Sequence, residues 1–175
     1  MKVLLHICCG VCAAGVAERL ISEEHEVVGL FYNPNIHPAE EYARRLEVAK
    51  RVAAEFSFPL LVPTYEPDEW FRDAGPLAAE PEGGKRCEVC FRLRLQKAYD
   101  YMIEQRADAF TTTLTIGPQK SADTINRIGR EIGGEQFLVR DFKKKAGFQR
   151  AIELAKQWQL YRQDYCGCVY SIRNK

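Results

Sequence analysis

Short apolar runs alternate with helical stretches along the first sixty residues, and this alternation constrains the fold more than any other feature. Residues 2–7 and 26–32 are rich in Val, Leu and Ile and predict buried strands. Residues 13–24 and 38–56 predict helices, and residues 59–62 predict a third strand. Strands that alternate with helices indicate an α/β protein with a doubly wound, mostly parallel sheet.

The second half of the chain continues the pattern after a Pro- and Gly-rich excursion over residues 63–86. The remaining predicted elements are helices at 68–73, 87–105, 121–132 and 147–157, with strands at 109–113 and 137–140. Since no linker divides the sequence, we expect a single catalytic domain over residues 1–175 with a C-terminal extension that carries Cys166 and Cys168.

The N-terminal apolar run is broken by His6 and is too short for a signal peptide. No later segment approaches the roughly eighteen apolar residues of a membrane span. We therefore expect a cytoplasmic protein with no membrane partner. In that reducing compartment, thiols are available for metal binding or for a disulfide that forms and breaks during turnover.

The two halves of the chain differ in charge. Residues 1–84 hold 7 Lys/Arg and 14 Asp/Glu, whereas residues 85–175 hold 18 and 10. Such asymmetry is a hint of polyanion binding, although two solvated faces of one domain are the simpler explanation. Five cations follow the last predicted strand, where a solvated loop and a phosphate-binding strip are equal alternatives: Arg140, Lys143, Lys144, Lys145 and Arg150.

Seven cysteines fall in three tight sets, namely Cys8-Cys9-Gly10-Val11-Cys12, Cys87-Glu88-Val89-Cys90 and Cys166-Gly167-Cys168. The first set follows the first strand and opens the first helix, where ligands gather in doubly wound sheets and helix amides favour thiolates. Buried small hydrophobes would explain a single cysteine better than three in five residues.

The second and third sets each leave alternatives open. Cys87 and Cys90 lie one helical turn apart, beside Lys85, Arg86, Arg92 and Arg94. If they meet two cysteines of the first set, the four thiolates fit tetrahedral zinc and a 4Fe-4S cluster equally. Cys166 and Cys168 suit either metal ligation or a labile redox-active disulfide. Their neighbours include two possible proton donors, Asp164 and Tyr165.

The three histidines give less information about function than the cysteines do. His6 lies within a strand and is expected to be a buried residue with satisfied hydrogen bonds, while His25 and His37 are expected at the surface.

Several motifs in order resemble the epoxyqueuosine reductase family that works without cobalamin. They are His6-Ile7-Cys8-Cys9-Gly10-Val11-Cys12, Tyr32-Asn33-Pro34-Asn35-Ile36, Arg86-Cys87-Glu88-Val89-Cys90-Phe91-Arg92-Leu93-Arg94, Thr111-Thr112-Thr113-Leu114-Thr115, Asp141-Phe142-Lys143-Lys144 and Tyr161-Arg162-Gln163-Asp164-Tyr165-Cys166-Gly167-Cys168. The resemblance implies an oxidoreductase of queuosine biosynthesis, an iron-sulfur cofactor and a Rossmann-like fold akin to adenine-nucleotide alpha hydrolases. Where that wider fold often has a Ser-Gly-Gly-x-Asp-Ser phosphate loop, this chain has Cys8-Cys9-Gly10.

The implied reaction removes the epoxide oxygen from a modified guanosine in the anticodon loop of tRNA. Since no G-x-G-x-x-G follows a strand, the electrons must pass through metal or thiols. Our hypothesis is that Cys9, Cys87 and Cys90 hold a 4Fe-4S cluster with a further cysteine, and that Cys8 or Cys12 helps to hold a second, mononuclear iron. Cys166 and Cys168 would then complete the cluster or form a disulfide, with an unidentified electron donor.

A tRNA bearing epoxyqueuosine requires phosphate contacts and a stacking surface. The candidates for stacking are Tyr32 and Phe142, and those for phosphate binding are Arg92, Arg94, Lys143, Lys144 and Lys145. Two other classes would use the same thiols. A zinc-stabilised nucleic-acid-binding module would unfold on chelation without redox activity, and a metal-free thiol oxidoreductase would turn over after complete metal removal.

Overall fold

The fold is built on a parallel four-stranded sheet in a computed structural model that describes residues 1–172. The strand order is β3-β2-β1-β4, with β1 at Lys2–His6, β2 at Glu26–Leu30, β3 at Leu60–Leu61 and β4 at Ala109–Thr112. His6 is in register with Leu30 on one side and Thr112 on the other. The three longer strands therefore end level, at one edge of the sheet.

The described residues form six α-helices, of which the first four lie between strands and the last two follow β4: α1 at Gly10–Ser22, α2 at Ala39–Glu55, α3 at Pro67–Ala74, α4 at Lys85–Glu104, α5 at Ala122–Gly133 and α6 at Gly147–Gln157. Helix α1 contacts α2 and α6, whereas α4 contacts α5. Because the chain runs outward from β1 to β3 and then crosses to β4, right-handed connections place these two groups on opposite faces. The predicted doubly wound α/β class is confirmed.

The predicted fifth strand at 137–140 is wrong. Phe137 makes only an isolated parallel bridge to Phe110, and Leu138 N donates to Phe110 O at 2.9 Å. Beyond that point the backbone turns toward α5, where the Arg140 carbonyl accepts from Asn126 Nδ2 at 3.1 Å. Side chains thus bond to backbone carbonyls of this segment, in place of the backbone hydrogen bonds that a β-strand would make with its neighbour.

The predicted domain over 1–175 includes residues 173–175, which lie outside the described residues. Within the described part of the chain, every helix is too short or too polar to cross a membrane.

Gly10 allows α1 to approach α2 closely at the start of the helix. A Cβ at this position would lie 2.8 Å from the backbone carbonyl carbon of Val48, which cannot move away as a flexible side chain would. Gly10→Ala should therefore lower the free energy of unfolding by about 1–3 kcal/mol in urea titrations of the metal-free protein. Gly75→Ala is the matched control, because a Cβ there meets nothing within 4 Å. Equal stability of the two variants would contradict this account of the α1–α2 contact.

Candidate functional site

The first cysteine set lies at the carboxyl edge of the sheet, between β1 and α1. Cys9 is the N-cap of α1, and its Sγ accepts a hydrogen bond from Cys12 N at 3.4 Å. The Sγ atoms of Cys8, Cys9 and Cys12 all lie within 4.8 Å of one another. Three thiols this close form a set of ligands that could hold a metal ion.

The segment after β4 supports the Cys8 thiolate. The Thr113 hydroxyl accepts from Cys8 N at 2.9 Å and contacts Cys8 Sγ at 3.1 Å as a donor. The pKa of Cys8 lies well below its usual range because of hydrogen bonds from the Cys12 and Cys9 thiols, assisted by Lys120 and Thr113. A thiolate is the form that binds metal, so this loop is prepared for ligation.

The other four cysteines line one cavity, which we call the thiol cavity: Cys87, Cys90, Cys166 and Cys168. Cys87 and Cys90 lie in the first two turns of α4, while the other two come from the C-terminal segment. All seven cysteines of the protein are free thiols. The pKa of Cys166 falls to about 4, chiefly because the Cys168 thiol donates a hydrogen bond to it.

A second, more open cavity adjoins the thiol cavity, and we call it the outer cleft. Cys12 of the first set and Cys166 of the third set both line it. Asp164 and Tyr165, the predicted proton donors, line it as well. Cys166 and Lys120 belong to both cavities. The structure therefore brings members of all three cysteine sets to two adjoining cavities.

A buried ion pair on α2 fixes the C-terminal segment in place. Arg45 donates to the carbonyls of Cys166 and Tyr165 at 2.9 and 3.0 Å, and its Nε donates to Glu41 at 2.7 Å. The Tyr161 hydroxyl donates to the same Glu41 carboxylate at 3.0 Å. Because Arg45 and Glu41 are both buried, this network positions the segment through interactions that solvent screens little.

Gly167 supplies the turn between the two cysteines of the third set. Its φ is +119°, and a Cβ there would lie 3.0 Å from Ile36 Cγ1 and 3.1 Å from Arg45 Nη1. Its carbonyl accepts from His37 N at 2.8 Å. Only glycine suits this backbone conformation in so little space.

His37 was expected at the surface, and that expectation is wrong. The ring is buried because the C-terminal segment covers it, and its Nδ1 accepts from Val169 N at 3.4 Å. The prediction for His6 is confirmed, since its ring bonds to Thr112 Oγ1 at 2.9 Å and Tyr32 O at 3.1 Å. Burial, with a smaller contribution from Arg94, lowers the pKa of His6 to about 4.

Two residues that sequence reasoning missed, Lys120 and Trp70, lie in this site. Burial alone would lower the pKa of Lys120, but the negative charge of the cysteine sulfurs, chiefly Cys8 and then Cys166, raises it above its usual range. Ligands bind at the carboxyl ends of parallel strands, and Lys120 follows the carboxyl end of β4. The argument that selected the first cysteine set could therefore have selected Lys120 as well. Trp70 lies on α3 within the Pro- and Gly-rich excursion, where no periodic pattern marks it.

The candidate phosphate-binding residues occupy different environments. Lys144 and Lys145 are exposed, whereas Lys143 Nζ donates to the carbonyls of Thr115 and Lys120 at 2.9 and 3.2 Å. The last of the five cations in the predicted strip, Arg150, pairs with Glu18 at 2.7 Å. Lys144 and Lys145 are thus the members of the lysine run that project into solvent.

On α4, Arg92 is exposed and paired with Glu131, while Arg94 is buried and lines the thiol cavity. RNA contacts by these residues and by the lysine run stay predictions. The two stacking candidates, Tyr32 and Phe142, are 2 % and 1 % exposed. Neither offers a free ring face to a base, because other elements of the fold cover both. The expectation that these two rings stack on a base is therefore wrong.

Comparison with known proteins identifies the family of this chain. The sequence matches the family model described as Epoxyqueuosine reductase QueH over residues 3–174. The protein named Epoxyqueuosine reductase QueH from Streptococcus pyogenes serotype M1 is 38 % identical over 98 % of this chain and 71 % of its own length. The protein of the same name from Dehalococcoides mccartyi is 36 % identical over 97 % of this chain and 92 % of its own.

Two solved structures share the fold with TM-scores of 0.61 at 14 % identity. One is a predicted subunit of tRNA methyltransferase from Methanocaldococcus jannaschii, which matches 87 % of this chain and 75 % of its own. The other is the U34-tRNA thiolase NcsA from Methanococcus maripaludis with its [4Fe-4S] cluster, which matches 99 % of this chain and 62 % of its own. These likenesses confirm the predicted Rossmann-like fold class. With a family model that covers nearly the whole sequence, the chain belongs to the Epoxyqueuosine reductase QueH family.

Proposed function

We propose that this protein is a cytoplasmic epoxyqueuosine reductase that acts on tRNA. The observation that carries the proposal is that five of the seven thiols line two adjoining cavities and the other two, Cys8 and Cys9, lie within 4.8 Å of Cys12, in a chain of the QueH family. The reaction consumes an epoxide, two electrons and two protons and yields an alkene and water. Both carbon–oxygen bonds of the epoxide break, and the oxygen leaves as water.

The residues of the thiol cavity fit an iron-sulfur cluster. Four sulfur donors line it, the buried Arg86 and Arg94 supply positive charge, and several polar atoms of the lining have no partner. Soft thiolates suit iron-sulfur clusters, and nearby cations favour a net-anionic group. When bound, the cluster would supply electrons one at a time, and a second iron would supply Lewis acidity.

The arrangement favours a revised partition of the ligands. Cys9 was expected to join Cys87 and Cys90, and its sulfur lies within 4.8 Å of those of Cys8 and Cys12, a compact set that could hold one ion. We assign a 4Fe-4S cluster to the thiol cavity and the second iron to the compact set. Cys166 lines both the thiol cavity and the outer cleft, which Cys12 of the compact set also lines.

The outer cleft has the composition expected for the modified nucleoside. Phe148 and Ile152 form an apolar wall, and Arg162 and Lys120 provide cations for a phosphate or sugar. Asp164 is exposed on this cleft, and we assign it the role of proton donor. Tyr165 has a positioning role instead, because its hydroxyl already donates to the His37 carbonyl.

The exposed lysines of the strip should contact the tRNA backbone. Reversing both charges in a Lys144→Glu, Lys145→Glu variant should weaken tRNA binding by about an order of magnitude and flatten its dependence on salt. Lys143 is left intact because its ammonium group holds two backbone carbonyls. Lys50→Glu, at an exposed position of α2, is the control for a charge change outside the strip. Unchanged affinity and salt dependence in the double variant would remove the lysines from the interface.

Metal and sulfide analysis of anaerobically purified protein tests the proposed cofactor. We expect iron and acid-labile sulfide in the active protein, and loss of turnover when both are removed. Full occupancy by zinc alone, together with catalysis, would contradict the proposal. Turnover by the metal-free protein would favour a thiol oxidoreductase instead.

A further inference from the structure

The indole N–H of Trp70 has no hydrogen-bond acceptor in the described part of the protein. Trp70 is 1 % exposed, and its Nε1 is buried. Burying an N–H without a partner is costly, and nearly all buried donors in folded proteins are satisfied. The partner of this N–H is therefore a group that the polypeptide itself does not supply.

Unpartnered polar atoms concentrate around the thiol cavity. Six buried side-chain atoms lack a partner among residues 1–172, and three belong to residues that line this cavity: Asn35 Oδ1, Trp70 Nε1 and Arg86 Nε. Trp70 also shares a small hydrophobic cluster with Cys90 and Cys168. The indole thus lies against cysteines from two of the three sets.

Neighbouring rings hold the indole in one orientation. Phe71 meets it edge-on at a centroid distance of 5.3 Å, and the His37 ring lies 5.0 Å away on a tilted plane. Tyr170 stacks on it at 6.0 Å, and the Arg86 guanidinium lies 5.2 Å from the Tyr170 ring. These ring contacts fix the orientation of the Trp70 N–H before any cofactor binds.

We propose that Trp70 Nε1–H donates a hydrogen bond to a sulfur of the cluster in the thiol cavity and thereby raises the cluster's reduction potential. An N–H donor favours the more negative, reduced state, and hydrogen bonds to the sulfurs are among the factors that set these potentials. The inference rests on the proposed function, because it requires the cluster to occupy this cavity.

A comparison of the two tryptophans of the chain tests the inference. Trp70→Phe keeps an aromatic ring and removes the N–H, while Trp158→Phe makes the same change where the ring packs on Phe56. In anaerobic redox titrations, Trp70→Phe should lower the ratio of reduced to oxidised cluster about tenfold at a fixed potential, a shift of about 59 mV. Trp158→Phe should titrate like the wild type. Equal midpoint potentials for all three proteins would overturn the inference.

Isotope labelling gives a second measurement that does not depend on the folding of Trp70→Phe. Protein labelled with ¹⁵N at the indole nitrogens should show a ¹⁵N hyperfine coupling in pulsed EPR of the reduced cluster, and Trp158→Phe should retain it. A cluster signal without this coupling would overturn the role of Trp70 and leave the proposed function intact. Failure to take up any cluster would overturn both.

Discussion

Cys90→Ser should abolish binding of acid-labile sulfide in anaerobically reconstituted protein, together with the absorbance of the cluster and turnover. Cys90 is buried in the second turn of α4 and lines the thiol cavity. Serine offers iron a hard, protonated oxygen in place of a soft thiolate, so the ligand set is incomplete. Cys12→Ser is the matched comparison, because Cys12 belongs to the compact set. It should keep the sulfide while it loses the second iron and turnover.

Iron and sulfide analyses of the two variants side by side separate the two metal sites. Circular dichroism of the metal-free proteins controls for folding. If Cys12→Ser lost the sulfide and Cys90→Ser kept it, the assignment of the cluster to the thiol cavity would be wrong.

Arg45→Met should destabilise the protein by about 3–5 kcal/mol, because it leaves the Glu41 carboxylate buried without its cation. The Arg45 and Glu41 side chains are 2 % and 9 % exposed, so solvent cannot replace the lost partner. The variant also removes two hydrogen bonds to the Cys166 and Tyr165 carbonyls. We therefore expect a lower free energy of unfolding in urea titrations and faster loss of the cluster.

Two further variants show whether these effects come from the network. Arg51→Met, at an exposed position of the same helix, should have little effect. Glu41→Leu combined with Arg45→Met removes both charges and should recover much of the stability, without restoring retention of the cluster. A cluster held as firmly in Arg45→Met as in the wild type would contradict the positioning role of Arg45.

Patterns of neighbouring residues in the sequence correctly predicted individual strands and helix caps. The apolar runs of β1 and β2 gave the parallel sheet, and Ser121 caps α5 as expected by accepting from Thr124 N at 3.2 Å. The cysteine sets could be placed at one edge because parallel strands end together there. The first helix was predicted to begin at residue 13. In the structure α1 begins at Gly10 and includes Cys12 in its first turn.

The errors concern burial that depends on distant parts of the chain. Tyr32 is covered by α3 and α4, where its hydroxyl donates to Glu69 at 2.7 Å and Lys97 lies 5.1 Å from its ring. His37 is covered by a segment about 130 residues later in sequence. The importance of Trp70 is likewise visible only once α3 lies against Cys90 and Cys168.

Conversion of the substrate tests the central claim most directly. The reconstituted protein should be reduced anaerobically, mixed with tRNA bearing epoxyqueuosine, and the tRNA digested for mass spectrometry of its nucleosides. We predict that epoxyqueuosine disappears and that queuosine, which has one oxygen atom fewer than epoxyqueuosine, takes its place. Each conversion should consume two electrons. Unchanged epoxyqueuosine in the presence of a fully loaded and reduced cluster would contradict the account.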